Sequence, residues 1–223
     1  MGKSLALALA AALSVALLLG STGTEAASTL VCLDPGHGGT ESGATYTKRG
    51  RDGFTLLEKE LNLDVALHLR EALEASGFAV VMTRTANGQT VSLQDRVDIC
   101  NAAGADVAVS IHTNSSYSAR WDGAMTLMNK PLDRSLAETI QPIMYGGLRA
   151  NWEGRFTDYG INVDEWFFPK HTTMPAVILE PVFMSNHDEA SALRATVDQA
   201  PNGRRAQIVQ VAYEGITSYA GEN

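Results

Sequence analysis

The chain has 223 residues, of which 45% are hydrophobic, and its 17 basic and 25 acidic side chains give a formal net charge of -8. This negative balance, without any basic stripe, excludes nucleic acid and anionic membrane surfaces as expected partners. Two cysteines are too few for a disulfide scaffold. For Cys32 and Cys100 two alternatives stay open, a single disulfide or two buried thiols.

The N-terminal segment has the pattern of a secretory signal peptide at residues 1–26. Lys3 gives a basic start, Leu5–Leu19 an apolar core, and residues 24–26 a small-residue cleavage site. The apolar run is too short for a stable membrane span. We therefore expect an exported protein, either periplasmic or extracellular in the cell wall. Residues 27–223 are long enough for one domain with its own core, and we expect a monomer.

Apolar runs alternate with helical patterns along the rest of the chain. This order predicts a single layered α/β domain with a mostly parallel, mixed central sheet flanked by helices, because the strands are continuously apolar rather than alternating. In chain order, the first predicted elements are a strand at 29–33, a helix at 60–76, a strand at 78–83, a helix at 92–103 and strands at 106–111 and 123–128. A helix at 135–148, a strand at 175–179 and helices at 187–195 and 204–219 follow. Residues 151–173 are predicted to form a loop with one edge strand.

Polar side chains follow three of these strands directly. His37 comes after the first strand in a glycine-rich turn, His112 ends the strand at 106–111, and Glu180 ends the last strand. Ligands of open parallel sheets bind outside the carboxyl ends of the strands. We therefore expect these three side chains at one edge of the sheet.

Glu58 is a fourth candidate and has two interpretations. Thr55 to Glu58 fits a capping box, in which the glutamate bonds a backbone N–H at the start of the helix. Local sequence favours this interpretation over metal ligation. Likewise, a lone histidine after a strand is more often bonded to backbone than to a metal.

Taken together, two histidines, a carboxylate and a further glutamate are the parts of a catalytic zinc site. Zinc held by three protein ligands keeps an open position for water and lowers the pKa of that water to roughly 7. A second carboxylate can take the proton from the water and pass it to a leaving amine. Templates for serine hydrolases, for zinc proteases of the H-E-x-x-H type and for P-loop proteins are absent from the sequence.

Four segments of the chain carry a family resemblance. They read "VCLDPGHGGTESGA", "LLEKELNLDVALHLREAL", "VVMTRTANGQTVSLQDRVDICNAAGADVAVSIHTNSS" and "TMPAVILEPVFMSNHDEASAL". In order and spacing they resemble the zinc-dependent N-acetylmuramoyl-L-alanine amidases of the Amidase_3 type, and they cover a little under half of residues 27–223.

The resemblance implies that residues 27–223 are a catalytic amidase domain. Its expected reaction is hydrolysis of the amide between N-acetylmuramic acid and L-alanine in peptidoglycan, with Zn²⁺ as cofactor. The family's metal ligands match His37, Glu58 and His112, and its catalytic glutamate matches Glu180. The resemblance thus favours ligation over capping for Glu58.

Other residues of the four segments have structural roles in this interpretation. Arg84 and Arg96 match the family's "TR…R" pattern and are expected to tie the loop after the strand at 78–83 to the following helix, through carboxylates or carbonyls. Asp34 orients either the turn or a ligand through hydrogen bonds. The glycines of the turn, Gly36, Gly38 and Gly39, are expected to leave the imidazole of His37 unobstructed.

Pro181 departs from the family pattern, which has a small apolar residue after the glutamate. Proline lacks a backbone donor, so the position of Glu180 and the efficiency of the enzyme are in question. This departure leaves a non-catalytic peptidoglycan-binding or regulatory homologue as one alternative to the amidase. A zinc peptidase is a second alternative, because the local metal chemistry permits it. The loop at 115–122 is too short for an inserted autoinhibitory helix.

Overall fold

Eight strands and six α-helices alternate along residues 28–150 and 152–222, the part of the chain that this computed structural model describes. The strands are β1 Leu30–Pro35, β2 Thr45–Lys48, β3 Phe54–Leu57, β4 Ala79–Met82, β5 Val107–Ile111, β6 Gly123–Met128, β7 Thr157–Val163 and β8 Ala176–Glu180. The α-helices are α1 Glu58–Ala75, α2 Leu93–Ala103, α3 Arg134–Ala150, α4 Phe167–His171, α5 His187–Ala192 and α6 Arg204–Glu222. The predicted signal peptide lies outside the described residues.

Six strands form the central sheet in the order β4-β1-β5-β8-β6-β7. The first four are parallel to one another, β6 runs antiparallel to β8, and β7 is parallel to β6. The predicted α/β class with a mostly parallel, mixed sheet is therefore confirmed, as is an edge strand within residues 151–173. The carboxyl ends of β1, β5 and β8 lie at one edge, and β6 and β7 begin there.

Helices cover both faces of the sheet. Helices α1, α3 and α6 pack on one face, while α2 and α4 pack on the other. On α1, the buried Leu61, Val65, Leu69 and Leu73 recur every four residues, so one stripe of the helix faces the sheet. Within the described ranges, no helix combines the length and apolar character needed to cross a membrane.

Two elements have no counterpart in the sequence prediction. β2 and β3 form a two-stranded antiparallel hairpin ahead of α1, and α4 is a helix of five residues inside the predicted loop. Both are short, and β2 is largely exposed, so neither has an apolar period long enough to identify it. Elsewhere, helix and strand ends differ from prediction by only a few residues.

Ser92 caps α2 by accepting a bond from the Asp95 N–H, and Gly104 ends it at φ +63°.

Cys32 on β1 and Cys100 on α2 form a disulfide, with their Cα atoms 5.6 Å apart. Both side chains are fully buried between the sheet and α2. The alternative of two buried thiols is therefore wrong. The bond joins residues 68 positions apart. It attaches α2, the helix that carries Arg96, to the sheet.

We expect the double variant Cys32→Ala/Cys100→Ala to be less stable by about 3–4 kcal/mol, because the bond restricts a long loop in the unfolded chain. Urea unfolding of oxidised and reduced wild-type protein measures the contribution of the bond to the free energy of unfolding. The double variant is the control, since its midpoint should not respond to reductant. Equal midpoints for oxidised and reduced wild type would contradict the expectation.

Candidate metal centre and its surroundings

Three predicted metal ligands converge at the carboxyl edge of the sheet. His37 follows β1, His112 follows β5, and Glu58 is the first residue of α1. One ligand atom from each lies within 4.8 Å of the others. Glu58 is buried and both imidazoles are partly buried, so the three side chains are held in place but remain accessible. This convergence is what a shared metal ion requires.

The carboxylate of Glu58 lies between the two imidazoles. Its Oε2 atom is 3.1 Å from His37 Nε2, and its Oε1 atom is 2.9 Å from His112 Nδ1. The backbone N–H groups of Ala44 and Thr113 also donate to it, over 2.8 and 3.2 Å. Glu58 is thus oriented by four partners from two separate segments of the chain, residues 37–44 and 112–113.

The capping-box interpretation of Glu58 is wrong. Thr55, the cap in that interpretation, lies in β3, and Leu57 occupies the N-cap position without any side-chain cap hydrogen bond. The carboxylate accepts hydrogen bonds from groups across the fold rather than from a backbone N–H at the start of its helix. The tertiary partners therefore replace the local bond that the sequence pattern offers.

Charge is stabilised within this cluster. Burial opposes ionisation of Glu58, but hydrogen bonds from His112 and His37 outweigh it and hold the pKa of Glu58 well below its usual value. Burial likewise opposes a charge on each imidazole, yet the hydrogen bonds to Glu58 raise the pKa of both His37 and His112. The centre thus favours an ionised carboxylate, the form that binds a cation.

Glu180 is the fourth predicted site residue, and it lies at the end of β8 beside this cluster. Its Oε2 atom is buried and has no hydrogen-bond partner among the described residues. Burial raises the pKa of Glu180 to about 7, with the charge of His112 opposing the shift and that of Glu58 adding to it. A carboxyl group with a pKa near neutrality and an unused oxygen is suited to taking up and releasing a proton.

Two residues near the centre were not predicted. Glu41 lies 2.9 Å from Nδ1 of His37, and Asn62 lies on α1 with its Nδ2 atom 3.3 Å from Glu58 Oε1. A carboxylate on the second ring nitrogen sets the tautomer and orientation of a ligand histidine. Their spacing is the sequence signal that could have identified them, since Glu41 follows His37 by four positions and Asn62 follows Glu58 by four.

The backbone turn that carries His37 is held by buried side chains. His37 itself has φ +62°, a left-handed conformation that costs about 1–3 kcal/mol unless surrounding contacts enforce it. Arg96 donates to the His37 carbonyl over 2.6 Å, and Arg84 donates over 2.8 Å to both carbonyls of residues 35–36. Asp34 accepts bonds of 2.6 Å from Arg96 and Ser110. Asp34 therefore orients the turn. Both arginines are structural, as predicted, but most of their bonds hold the turn after β1, a partner that the prediction did not name.

Arg96→Ala is expected to lower the free energy of unfolding by about 3–5 kcal/mol, since it leaves the Asp34 charge buried without its partner. The two side chains are 2.6 Å apart and only 4% and 3% exposed. The matched control is Arg134→Ala, whose pair with Glu138 is 61% and 57% exposed and contributes about 0.5 kcal/mol or less. Urea unfolding compares the two. Similar losses in both variants would contradict this prediction.

The glycines of the turn do not have the one role expected of them. A Cβ atom on Gly36 would lie 2.3 Å from the ring of His112, and those on Gly38–Gly39 would meet the loop ahead of α2. Gly43 is the residue that leaves room for His37, because its Cβ would lie 2.5 Å from that ring. The prediction that the turn glycines keep His37 unobstructed is therefore wrong. They instead allow the turn to pack closely against its neighbours.

The centre opens onto a cavity of about 380 Å³. Its polar end carries His37, His112 and Glu180, and its walls come from α2, α4 and the sheet. The apolar lining side chains are Val91, Leu93, Leu127, Trp166, Phe167, Phe168 and Ile178. An apolar cavity with a few convergent polar groups is typical of a site that binds an organic molecule. Pro181 has not displaced Glu180 from this cavity.

Comparison with known proteins agrees with this geometry. Residues 31–217 match the family described as N-acetylmuramoyl-L-alanine amidase, Amidase_3. The chain is 35% identical over 193 residues to N-acetylmuramoyl-L-alanine amidase LytC of Bacillus subtilis, covering 85% of this chain and 35% of LytC. It is 28% identical over 206 residues to the germination-specific N-acetylmuramoyl-L-alanine amidase of the same organism, covering 86% and 80%. The chain thus spans about a third of one relative and most of the other.

A solved structure has the same fold. The catalytic domain of CwlV, an N-acetylmuramoyl-L-alanine amidase from Bacillus (Paenibacillus) polymyxa var. colistinus, superimposes with a TM-score of 0.73 at 30% identity, covering 87% of this chain and 99% of that domain. The family match at residues 31–217 includes His37, Glu58, His112 and Glu180. The chain therefore belongs to the N-acetylmuramoyl-L-alanine amidase family, Amidase_3.

Proposed function

We propose that this protein hydrolyses the amide bond between N-acetylmuramic acid and L-alanine in peptidoglycan. The observation that carries the proposal is the meeting of two histidines and two glutamates beside one cavity at the carboxyl edge of the sheet. Family membership supplies the substrate class. The proposed reaction would remodel or degrade the cell wall.

His37, Glu58 and His112 are the proposed ligands of a zinc ion. Two imidazoles and one carboxylate are a common ligand set for catalytic zinc, and their potential ligand atoms lie within 4.8 Å of one another. When bound, zinc would polarise the amide carbonyl and lower the pKa of a water molecule. Glu41 would support this set by fixing the ring of His37 through Nδ1.

Glu180 is the proposed acid and base. Its carboxylate accepts a proton from the attacking water as the oxygen–carbon bond forms at the lactyl carbonyl. It then donates that proton to the nitrogen of L-alanine as the carbon–nitrogen bond breaks, so that the amine leaves neutral. The raised pKa of about 7 and the buried, unpaired Oε2 atom support both roles.

The alternatives gain no specific support. A non-catalytic homologue has no need of an unpaired, buried carboxyl such as that of Glu180 beside the ligand set. A general zinc peptidase is compatible with the local chemistry, but the family match favours the muramyl amide. Between β5 and β6 the described chain forms a loop without a helix, so no segment there covers the cavity.

Residues 1–26 are the proposed signal peptide, and residues 27–223 the proposed exported catalytic domain. The basic residue and apolar core at the N-terminus support export, and the Cys32–Cys100 bond suits an oxidising compartment. The protein would then act in the periplasm or the cell wall. All four proposed site residues belong to one chain, which supports a monomer as the active form.

The test is mass spectrometry of a purified muramyl-peptide incubated with the protein. Zinc-loaded enzyme should release the intact peptide with a free L-alanine amine, and enzyme treated with a chelator should not. A sugar-free stem peptide in a parallel sample distinguishes a general peptidase, which would cleave it. An unchanged muramyl-peptide in the presence of zinc-loaded protein would overturn the proposed function.

A further inference from the structure

A second cavity lies at the edge of the sheet that carries Glu180, and none of the proposed metal ligands lines it. Its volume is about 180 Å³, and we call the residues that line it the aromatic–arginine surface: Arg120, Trp121, Arg155, Thr157 and Tyr159. They lie at the starts of β6 and β7, and Met125 of β6 pairs with Glu180 of β8. This surface therefore lies at the same edge of the sheet as the proposed reaction.

The aromatic part of this surface is an ordered stack. The rings of Trp121 and Tyr159 are 5.7 Å apart with an interplanar angle of 23°. Tyr159 also contacts Phe183, at 5.6 Å, three residues beyond Glu180. Trp121 is nevertheless 43% exposed. A rigid, exposed aromatic face is a common feature of binding surfaces, because it offers a large contact area with little loss of side-chain entropy.

The arginines of this surface carry charge that the fold does not neutralise. Over the described residues, neither Arg120 nor Arg155 has a carboxylate within 4.0 Å, although the whole chain has a net charge of -8. The neighbouring Asp158 is occupied, since its Oδ1 atom accepts bonds from Gln141 and from the Gly160 N–H. Two exposed guanidinium groups with donors to spare favour a carboxylate ligand.

We propose that the aromatic–arginine surface binds a free carboxylate on the stem peptide of the substrate. Arg120 and Arg155 pair with the carboxylate, while Trp121 and Tyr159 contact the aliphatic part of the same residue. The enzyme therefore prefers a stem peptide with a carboxylate to one with a carboxamide at that position. This inference rests on the proposed amidase function, and it assigns the peptide to the side of Glu180 on which β6 and β7 begin.

Two muramyl-peptides that differ only in carboxylate or carboxamide test this preference. Wild type should hydrolyse the acidic substrate with a kcat/KM about 10-fold higher, mainly through KM, and added salt should reduce that ratio. Arg120→Ala and Arg155→Ala should each bring the ratio towards one. Arg134→Ala, an exposed arginine on α3, is the control and should keep the wild-type ratio.

Calorimetry with the two released stem peptides measures the same preference without turnover. Tighter binding of the acidic peptide, lost in the Arg120 and Arg155 variants, would support the surface as the peptide site. Equal binding of both peptides by wild type, or a ratio that the variants do not change, would overturn this inference while leaving amide hydrolysis standing. Absence of hydrolysis with a retained carboxylate preference would instead overturn the proposed function alone.

Discussion

Glu180→Gln is expected to lower kcat for the muramyl amide by about 10²–10⁴-fold, the usual contribution of a positioned acid or base. Glutamine keeps the shape of the side chain but cannot take a proton from water or give one to the leaving amine. Because no described residue donates a hydrogen bond to the buried Oε2 atom of Glu180, the fold should lose little by the change. The expected signature is a loss in kcat with KM and zinc content near the wild-type values.

Steady-state kinetics and elemental analysis of the same samples measure this signature. Glu71→Gln is the matched control, since Glu71 is an exposed glutamate on α1 and should leave kcat unchanged. A Glu180→Gln enzyme that retains more than about a tenth of wild-type kcat would assign the proton transfers to another group. A large loss accompanied by loss of zinc would instead indicate that Glu180 supports the metal centre.

Glu58→Ala is expected to weaken zinc binding by at least about 100-fold, and with it to remove amide hydrolysis. The variant loses one of three ligands, and it also removes the hydrogen bonds that orient His37 and His112. Both consequences act on the same ion. We therefore expect the variant to lack both activity and zinc-dependent stabilisation at zinc concentrations that saturate the wild-type protein.

Thermal unfolding at increasing zinc concentration measures this effect independently of turnover. Zinc that binds only the folded state stabilises it by about 2.7 kcal/mol at 100 times its Kd, so the wild-type Tm should rise steadily. The Tm of Glu58→Ala should rise only at concentrations at least about 100-fold higher. Glu60→Ala, an exposed change in the same helical turn, should respond as wild type does. An identical zinc response in the Glu58 variant would contradict ligation.

The alternation of strands and helices was predictable from the sequence because its signals are local. Continuous apolar runs identified β1, β5 and β8, and a four-residue apolar repeat identified α1. Strand ends then placed His37, His112 and Glu180 at one edge, since parallel strands share their direction. The hairpin β2–β3 and the short α4 lacked such a period and were missed.

What local sequence could not decide was the choice between partners that are far apart in the chain. Local spacing favoured a helix cap for Glu58, and only the family resemblance pointed to the His112 contact, which spans 54 positions. The pairing of Cys32 with Cys100, the role of each turn glycine and the aromatic wall at 166–168 depended on tertiary packing in the same way. The sequence by itself thus determined the strands of the central sheet, the longer helices and the edge that holds the chemistry. The tertiary structure decided which side chains meet there, because hydrogen bonds and packing across the fold outweigh the weaker local alternatives.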